Sequence, residues 1–229
     1  MATVVPKITA IVPALNEAGG IIQTLERLQS FRSAGHTVIV VDGGSTDDTV
    51  ILSRPLVDKV ITATRSRASQ MNAGARFASG NILWFLHADC FPPIAADQLI
   101  INSLGNKDVA WGRFDVRLSG SGFPYRTVEF MMNLRSRVTG IATGDQGIFV
   151  TRNALTKVGG FPEIPLMEDI AISKRLRSNG RPICLRQKIT TSSRRWEKRG
   201  AWRTILMMWR LRLAYALGAK PEKLARLYR

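Results

Sequence analysis

A histidine and an aspartate stand two residues apart at the end of an apolar run of the sequence. The run N-I-L-W-F-L at 81–86 has the composition of a buried strand, and His87, Ala88 and Asp89 follow it directly. An aspartate on a rigid strand end could hold a hard divalent cation together with diphosphate oxygens, and imidazole is also a metal ligand. The alternative from the residues alone is a hydrogen-bonded His–Asp pair in a loop.

Two earlier apolar runs also end in acidic residues. The run 7–15 is followed by Glu17, and the run 36–44 includes Asp42 near its end. Open α/β sheets bind ligands at the carboxyl ends of their strands, so we expect both carboxylates to face the same rim as Asp89. Each has a structural alternative, because Asp42 could cap the following helix and Glu17 could favour a helix dipole.

Strand-like and helix-like segments alternate in the first half of the chain. The patterns predict strands at 7–15, 36–44, 57–64 and 81–89, and helices at 17–31, 45–53 and 66–79. This alternation with short links predicts an α/β fold, with a mixed, mostly parallel Rossmann-like sheet flanked by helices.

The second half is less regular. It predicts a strand at 108–118, a helix at 123–140, a strand and short helix within 144–161, and helices at 168–180 and 201–218. We expect one compact domain over 1–200, followed by a basic amphipathic helix within 201–229.

The net charge of +16 is concentrated near the C-terminus. Residues 181–229 hold 14 Lys and Arg against 2 Asp and Glu, which gives +12. Such a segment favours an anionic partner: nucleic acid, an acidic membrane surface or a phosphorylated substrate.

Cysteine content and hydropathy bear on the cellular compartment. The 2 cysteines are too few for a disulfide framework, the N-terminus lacks the pattern of a secretory signal, and every 18-residue window contains a charge. We therefore expect a cytoplasmic protein.

Five separated motifs resemble those of the family 2 glycosyltransferases, which have a GT-A fold. In chain order they are IVPALNEA (11–18), VDGGSTDDT (41–49), HAD (87–89), GDQGIFV (144–150) and MEDI (167–170). The phrases WGRFDVRL, PLMEDI and RRWEKRG are similar to a bacterial subgroup called rSAM/selenodomain-associated transferase 2. The resemblance implies inverting transfer of a sugar from a nucleotide diphosphate sugar to an acceptor hydroxyl, with Mn²⁺ or Mg²⁺ as cofactor.

The resemblance also implies a donor site. Asp42 matches the acidic residue that contacts the base, although Gly43 replaces the second Asp of the family. Arg67 could pair with a phosphate or remain a solvated helix charge. The full donor-binding set predicted in this way is Pro13, Glu17, Asp42, Arg67, Gln70 and Ala88.

The metal ligands and the base follow from two of the motifs. Asp89 matches the second Asp of the family's Asp-x-Asp, and His87 replaces the first, so both are expected to hold the metal. Asp169 matches the base that deprotonates the acceptor, and Glu168 would orient that base or the acceptor. From the residues alone, this acidic pair could equally favour the N-terminus of a helix.

Acceptor binding is implied for Gly144, Asp145, Gln146, Arg195 and Trp196. Trp196 could stack on an acceptor sugar or fill the core. Ser192 stands where processive members have Gln, so processive synthesis is not implied.

The stretch 201–218 has apolar residues at helical spacing with arginines between them. Such a helix could lie on an anionic membrane or pack on the domain. A lipid or lipid-linked acceptor, and attachment to the inner face of the membrane, are hypotheses that this stretch suggests.

Three other functions compete. A nucleotidyltransferase would use similar carboxylates, but the loop after the first strand lacks a glycine- and arginine-rich phosphate motif. A catalytically idle sugar-nucleotide binder would fit the loss of one Asp at His87. A nucleic-acid-binding protein would fit the charge, but no recognisable motif supports it, and no nucleic acid partner is expected.

Overall fold

The computed structural model describes residues 6–105, 109–194 and 200–228. Its centre is an eight-stranded mixed sheet in the order β3-β2-β1-β4-β7-β6-β8-β5. The strands are β1 (Ile8–Ala14), β2 (Thr37–Asp42), β3 (Lys59–Thr62), β4 (Ile82–Phe85), β5 (Cys90–Phe91), β6 (Trp111–Leu118), β7 (Phe149–Thr151) and β8 (Ile183–Thr191). The predicted α/β class and mostly parallel sheet are confirmed.

The helices flank this sheet. They are α1 (Ile21–Glu26), α2 (Gln29–Ser33), α3 (Thr49–Ser53), α4 (Arg67–Phe77), α5 (Ala96–Leu104), α6 (Phe123–Thr139), α7 (Arg152–Lys157), α8 (Glu168–Leu176), α9 (Ala201–Ala216) and α10 (Pro221–Tyr228). Short 3₁₀ turns lie at Arg54–Leu56, Gly144–Gln146 and Arg177–Asn179.

The first half of the sheet is parallel and covered on both faces. Strand β1 pairs in parallel with β2 on one side and with β4 on the other. Its residues are all buried, because alternate side chains enter two different clusters: one contains α1 and α2, the other contains α4. This double burial explains the continuous apolar runs that predicted these strands.

Two predicted elements differ from the structure in their extent. The predicted helix 17–31 is two short helices, because Leu28 has non-helical angles and its N–H bonds the Leu25 carbonyl in a 3₁₀ geometry. The predicted strand 81–89 ends at Phe85. Residues 86–89 form a turn closed by a hydrogen bond from the Cys90 N–H to the His87 carbonyl.

Strand β8 and helix α5 were not predicted. The middle of β8, at 186–188, is basic and exposed, so it lacks the alternation that marks a half-buried strand. It pairs in parallel with β6, with a register shift between Phe114 and Asp115. The sheet therefore has a second half that mixes parallel and antiparallel pairs.

Helix α6 is fixed on β6 by polar side chains. Asn133 bonds both the N–H and the carbonyl of Val116, and Glu129 accepts the Leu118 N–H. Asp115 on β6 is paired with Arg137 of the helix at 2.6 Å and with the fully buried Arg113. Because these contacts recur along α6, the helix has one fixed orientation against the sheet.

The C-terminal helices pack on the domain. Ile205 of α9 lies in a cluster with Val128 and Met132 of α6. Leu211 of α9 and Leu224 of α10 lie in another cluster, with Ile170 of α8. The predicted boundary at 200/201 stays a prediction, although the segment after it contributes buried residues to the same molecule. No helix among the described residues is long and apolar enough to cross a bilayer.

Candidate active site

The carboxyl ends of β1 and β2 form one wall of the candidate site. Ala14 and Asp42 are paired across the two strands, and Pro13 is buried beside them. The Asp42 carboxylate accepts the N–H groups of Gly44 at 2.9 Å and Ser45 at 3.1 Å. Asp42 therefore shapes the loop after β2. It does not cap the following helix, because α3 begins at Thr49 with Asp48 at its N-cap position. Asp42 is almost fully buried.

The loops after β1 and β2 are bonded to each other. Asn16 has a left-handed backbone (φ 54°), and its side chain accepts the Thr46 N–H at 2.8 Å. The Glu17 N–H donates to the Thr49 hydroxyl at 2.8 Å, and the Ala18 N–H donates to Asp47 at 3.1 Å. These bonds preorganise the rim between the two strands.

Gln70 of α4 is fully engaged with this wall through its amide nitrogen. The nitrogen donates to the carbonyls of Ala14 at 2.8 Å and Val41 at 2.7 Å, which belong to the last two paired positions of β1 and β2. The side chain is buried and lies under Gly43, where a Cβ would come within 3.1 Å of it. The contacts shown are thus with the protein backbone, and the donor-binding role predicted for Gln70 stays a prediction.

Glu17 and Arg194 meet over the glycines at the start of α1. The Arg194 Nη2 lies 3.2 Å from a Glu17 carboxylate oxygen. Burial raises the pKa of Glu17 and the nearby Asp89 charge raises it further, while Arg194 lowers it. Strands β1 and β4 are parallel neighbours, so Glu17 and Asp89, which follow their carboxyl ends, lie at the same edge of the sheet.

His87, Asp89 and Cys90 are brought together by the turn after β4. One ligand atom of each lies within 4.8 Å of the others. Burial raises the pKa of the Cys90 thiol well above its ordinary value, and the charges of Asp89 and Asp145 raise it further. A protonated thiol is a poor ligand for a hard cation, so the donor set that fits Mn²⁺ or Mg²⁺ is the Asp89 carboxylate with the imidazole.

Two backbone carbonyls of this turn anchor it to neighbouring elements. Ala88 contributes its carbonyl, which accepts the Thr24 hydroxyl at 2.7 Å and anchors the turn to α1. The carbonyl of Asp89 accepts the Ser192 N–H at 3.1 Å, which anchors the turn to the end of β8. The side chain of Asp89 is consequently carried by a turn held from both sides.

Gly144 and Asp145 connect His87 to the acidic pair on α8. His87 Nδ1 and an Asp145 oxygen are 3.1 Å apart. The imidazole also packs closely against Gly144, where a Cβ would come within 2.2 Å of Nε2. The Gly144 N–H donates to Asp169 Oδ2 at 3.2 Å. The three sequence motifs are therefore in direct contact through two residues.

Glu168 and Asp169 open helix α8. The preceding residue, Met167, is buried with a left-handed backbone (φ 69°), a strained conformation that turns the chain into the helix. Asp169 Oδ1 accepts the Ile170 N–H at 2.7 Å, so both of its oxygens are oriented by backbone donors. Burial raises the pKa of Glu168 and the Asp169 charge raises it further, while Arg67 lowers it.

Arg67 stands at the start of α4, opposite this pair. Its Nη1 lies 4.0 Å from Glu168 Oε1, and its side chain is 49% exposed. The guanidinium thus faces solvent at the rim while remaining within reach of the acidic pair, a position compatible with a phosphate partner.

The structure describes only some of the residues predicted to bind the acceptor, and their acceptor role stays a prediction. Gln146 is fully buried, and its side chain closes a capping box with Thr143 and donates to Ser136 at 3.1 Å. It holds the Gly144–Gln146 turn in place. Arg195 and Trp196 lie outside the described residues.

A comparison with protein families decides the class of the protein. The model described as Glycosyl transferase family 2 matches residues 9–161, more than half of the chain. The chain belongs to this family. The matched region contains the wall formed by the ends of β1 and β2, the His87–Asp89 turn and the Gly144–Gln146 turn. It ends before the acidic pair on α8.

A named relative and a solved structure of another protein are similar to this chain and agree with the family assignment. An uncharacterized glycosyltransferase of Mycobacterium tuberculosis is 29% identical over 169 residues, which are 69% of this chain and 64% of the relative. A mannosyltransferase of Pyrobaculum calidifontis, solved with GDP-Man and Mn²⁺, is 26% identical with a TM-score of 0.66, covering 93% of this chain and 62% of that one.

Two more distant structures show the same fold. Residues 1–349 of TarS from S. aureus, with UDP-GlcNAc, are 21% identical with a TM-score of 0.67, covering 82% of this chain and 59% of that one. A glucosyl-3-phosphoglycerate synthase of Mycobacterium tuberculosis, with Mn²⁺ and UDP, is 17% identical with a TM-score of 0.64, covering 88% and 78%. The predicted GT-A fold is confirmed, while the rSAM-associated subgroup stays a prediction.

The sequence analysis of this glycosyltransferase missed three arginines near the site. Arg194 pairs with Glu17, and Arg135 and Arg212 line a cleft beside Asp145. A signal for Arg135 was available, because it follows Met131 and Met132 at helical spacing and so lies on their apolar face of α6. Its position beside the site depends on how α6 packs on the sheet, and the spacing of residues along the helix does not show this.

The contact between Gly144 and His87 predicts a measurable coupling. Gly144→Ala should lower the free energy of unfolding by about 1–3 kcal/mol, because the imidazole must move. In a His87→Ala background the same change should cost less than half as much. Urea unfolding of the four proteins measures this double-mutant cycle.

Gly105→Ala is the matched control, since a Cβ there meets no atom closer than 3.5 Å. It should change the free energy of unfolding by less than about 0.5 kcal/mol. A coupling energy near zero between positions 87 and 144 would mean that the ring does not lie against Gly144.

Proposed function

We propose that this family 2 glycosyltransferase transfers a sugar from a nucleotide diphosphate sugar to an acceptor hydroxyl with inversion, assisted by a divalent cation. The observation that carries the proposal is the convergence of the His87–Asp89 turn, Asp145 and the Asp169 base on one rim. The solved relatives with GDP-Man, UDP-GlcNAc and UDP support the class of donor.

The donor would lie across the ends of β1, β2 and β4. The nucleoside would occupy the wall formed by Pro13, Glu17 and Asp42, with its diphosphate directed towards Asp89 and Arg67. Asp89 would hold the cation, which when bound neutralises the charge that develops on the leaving diphosphate. His87 would complete the ligand set or, through its bond to Asp145, hold that carboxylate in place.

Asp169 would accept the proton of the acceptor hydroxyl. Its two oxygens are already oriented by the Gly144 and Ile170 N–H groups, so the carboxylate needs little reorganisation. The buried Glu168 holds a proton more readily, because burial and the neighbouring charge raise its pKa. One carboxylate of the pair is therefore suited to be the base, and the other to bind or orient the acceptor.

Family membership favours this reaction over the competing functions. A nucleotidyltransferase would release pyrophosphate from a nucleoside triphosphate, whereas the matching family transfers glycosyl groups. The idle-binder alternative rested on the loss of one Asp, and in the structure Asp145 adds a second carboxylate next to His87.

Membrane attachment through α9 belongs to the same proposal. An exposed apolar stripe runs along this helix, formed by Leu206, Trp209, Leu213 and Leu217, with 53–80% of each residue exposed. Arg203 and Arg210 are exposed on the same helix. An exposed apolar stripe flanked by cations is the pattern of a helix that lies in an anionic lipid interface.

The first prediction of the proposal concerns nucleotide and metal. One of UDP, GDP, dTDP and CDP should stabilise the protein only with Mn²⁺ or Mg²⁺. At about 100 times its Kd the ligand adds about 2.7 kcal/mol, which raises the melting temperature by roughly 5–10 °C. Asp89→Ala should abolish this shift, while Glu26→Ala, at an exposed carboxylate of α1, should keep it. A full shift in Asp89→Ala would contradict the metal assignment.

The second prediction separates chemistry from binding. Asp169→Asn should lower turnover of the nucleotide sugar by about 10²–10⁴-fold, the usual contribution of a general base. The nucleotide-dependent thermal shift should stay unchanged, because Asp169 lies on the acceptor side. Glu168→Gln is the matched control and should lose less turnover. Equal losses in the two variants would contradict the assignment of Asp169 as the base.

The third prediction concerns the membrane. Leu206→Gln/Leu213→Gln should reduce flotation with phosphatidylglycerol vesicles, because it removes about half of the exposed stripe. Ile51→Gln/Ile94→Gln removes two exposed aliphatic side chains on other elements and should float like the unaltered protein. Equal flotation of both double variants would show that α9 is not the attachment surface.

A further inference from the structure

A cleft of about 430 Å³ lies between α6 and α9, next to the candidate active site. This volume is within the range of small-molecule sites in proteins. Its walls are mostly apolar, and they are formed by Val128, Met131, Met132, Ile205, Met208 and Trp209. Methionine-rich walls adapt to flexible apolar ligands because the side chain is unbranched and polarizable.

The cleft reaches the candidate acceptor side. Asp145, which contacts His87, is one of its lining residues. Arg135 is another lining residue. Burial lowers the pKa of its guanidinium, and the nearby charge of Asp169 offsets part of that lowering. A ligand in the cleft would therefore end beside the proposed base.

Two arginines in the cleft have buried nitrogens without a partner. Nε and Nη2 of Arg135, and Nε of Arg212, are inaccessible to solvent and have no hydrogen-bond partner among the described residues. Burial lowers the pKa of Arg135, and the nearby Arg113 lowers it further, while Asp169 raises it. A cation buried in this way is costly unless an anion compensates it.

Other arginines of α6 are satisfied. Arg126 pairs with Glu129 at 2.7 Å, and Arg137 pairs with Asp115 at 2.6 Å. Arg135 is thus an exception on a helix whose position is otherwise fixed by its polar contacts. Arg135 and Arg212 both line the cleft, so two cationic side chains adjoin its apolar walls.

We propose that this cleft binds the acceptor of the transfer reaction, and that the acceptor is a membrane amphiphile with an anionic group. Its hydrocarbon part would lie between the methionines of α6 and Trp209 of α9. Its anionic group, such as a phosphate, would accept from Arg135 and Arg212. The inference rests on the proposed function and names the acceptor class for it.

In the proposed sugar transfer, every bond and proton is accounted for by the acceptor, the donor and Asp169. The acceptor hydroxyl attacks the anomeric carbon as its O–H proton moves to Asp169. The bond between the anomeric carbon and the phosphate oxygen breaks, and the nucleoside diphosphate leaves with that electron pair. The anionic group held by Arg135 and Arg212 takes no part in bond making and only positions the hydroxyl.

The surface around the cleft favours a membrane amphiphile over a water-soluble anion. Phe130, Met131 and Leu134 of α6 are 41–64% exposed, and Met131 lines the cleft together with Trp209 of the exposed stripe of α9. Exposed apolar surface of this kind is typical of a lipid or protein contact. A lipid held at this surface could enter the cleft between the two helices without its chain crossing water.

The test uses the full chain and three probes in titration calorimetry. Dodecyl phosphate, kept below its micelle concentration, carries both the chain and the anion. Dodecyl maltoside carries the same chain without charge, and inorganic phosphate carries the anion alone. Dodecyl phosphate should bind at least about 10-fold more tightly than either of the others, since only it satisfies both parts of the cleft.

Arg135→Gln and Arg212→Gln should each weaken dodecyl phosphate binding by about 10- to 100-fold, the range of a charge-assisted hydrogen bond. Arg210→Gln removes an equal charge from the exposed side of α9 and should change binding less than 3-fold. Without ligand, Arg135→Gln should keep or raise the melting temperature, because it removes a partly buried cation whose Nε and Nη2 have no hydrogen-bond partner among the described residues. A structural arginine would instead lower it.

The outcomes separate this inference from the proposed function. Equal binding of dodecyl phosphate and dodecyl maltoside, or equal losses in Arg210→Gln and Arg135→Gln, would overturn the anionic amphiphile. Equal binding of inorganic phosphate would replace it with a simple anion site. The metal-dependent nucleotide shift is measured on the same samples; if it fails, the proposed function fails independently of the cleft.

Discussion

The close approach of His87 to Gly144 is the constraint on which the site depends. The imidazole needs the space that a Cβ at residue 144 would occupy, and the next residue, Asp145, is hydrogen-bonded to it. The N–H of the same glycine orients Asp169. The His87–Asp89 turn, the Gly144–Gln146 turn and Asp169 are therefore positioned relative to one another by two residues, Gly144 and Asp145. In the proposed reaction, a shift of any one of them would change the distance between the leaving group and the base.

The two halves of the sheet contribute different kinds of rigidity. The parallel half is held by apolar burial on both faces, and its loops are cross-linked by short polar contacts such as that between Glu17 and Thr49. The other half relies on buried ion pairs, with Arg113, Asp115 and Arg137 joining β6 to α6. Buried pairs add little stability once desolvation is included, but they fix geometry. In this enzyme they fix the helix that carries Arg135.

The structure shows where some of the arginines that give the chain its positive charge lie relative to the candidate site. Arg67 and Arg194 lie at the rim where the donor diphosphate would bind, close to Glu168 and Glu17 respectively. Arg135 and Arg212 line a mostly apolar cleft, and Arg135 Nε and Nη2 and Arg212 Nε have no hydrogen-bond partner among the described residues. Arginine therefore occurs in two settings, exposed beside carboxylates or partly buried in an apolar cleft. Net charge alone indicates an anionic partner but does not separate these settings.

The sequence by itself determined the parallel half of the fold and the family. Continuous apolar runs such as 36–44 identify strands of a parallel sheet, because both faces of those strands are buried. The motifs at 87–89 and 144–150 identify the family, because each is a short run of neighbouring residues that can be recognised without the fold. The sequence did not determine β8, whose charged middle hides its pairing with β6. Nor did it determine that Gln70 holds two strand ends, or that α6 and α9 enclose a cleft. Those features depend on contacts between residues far apart in the chain, and only the tertiary structure brings such residues together.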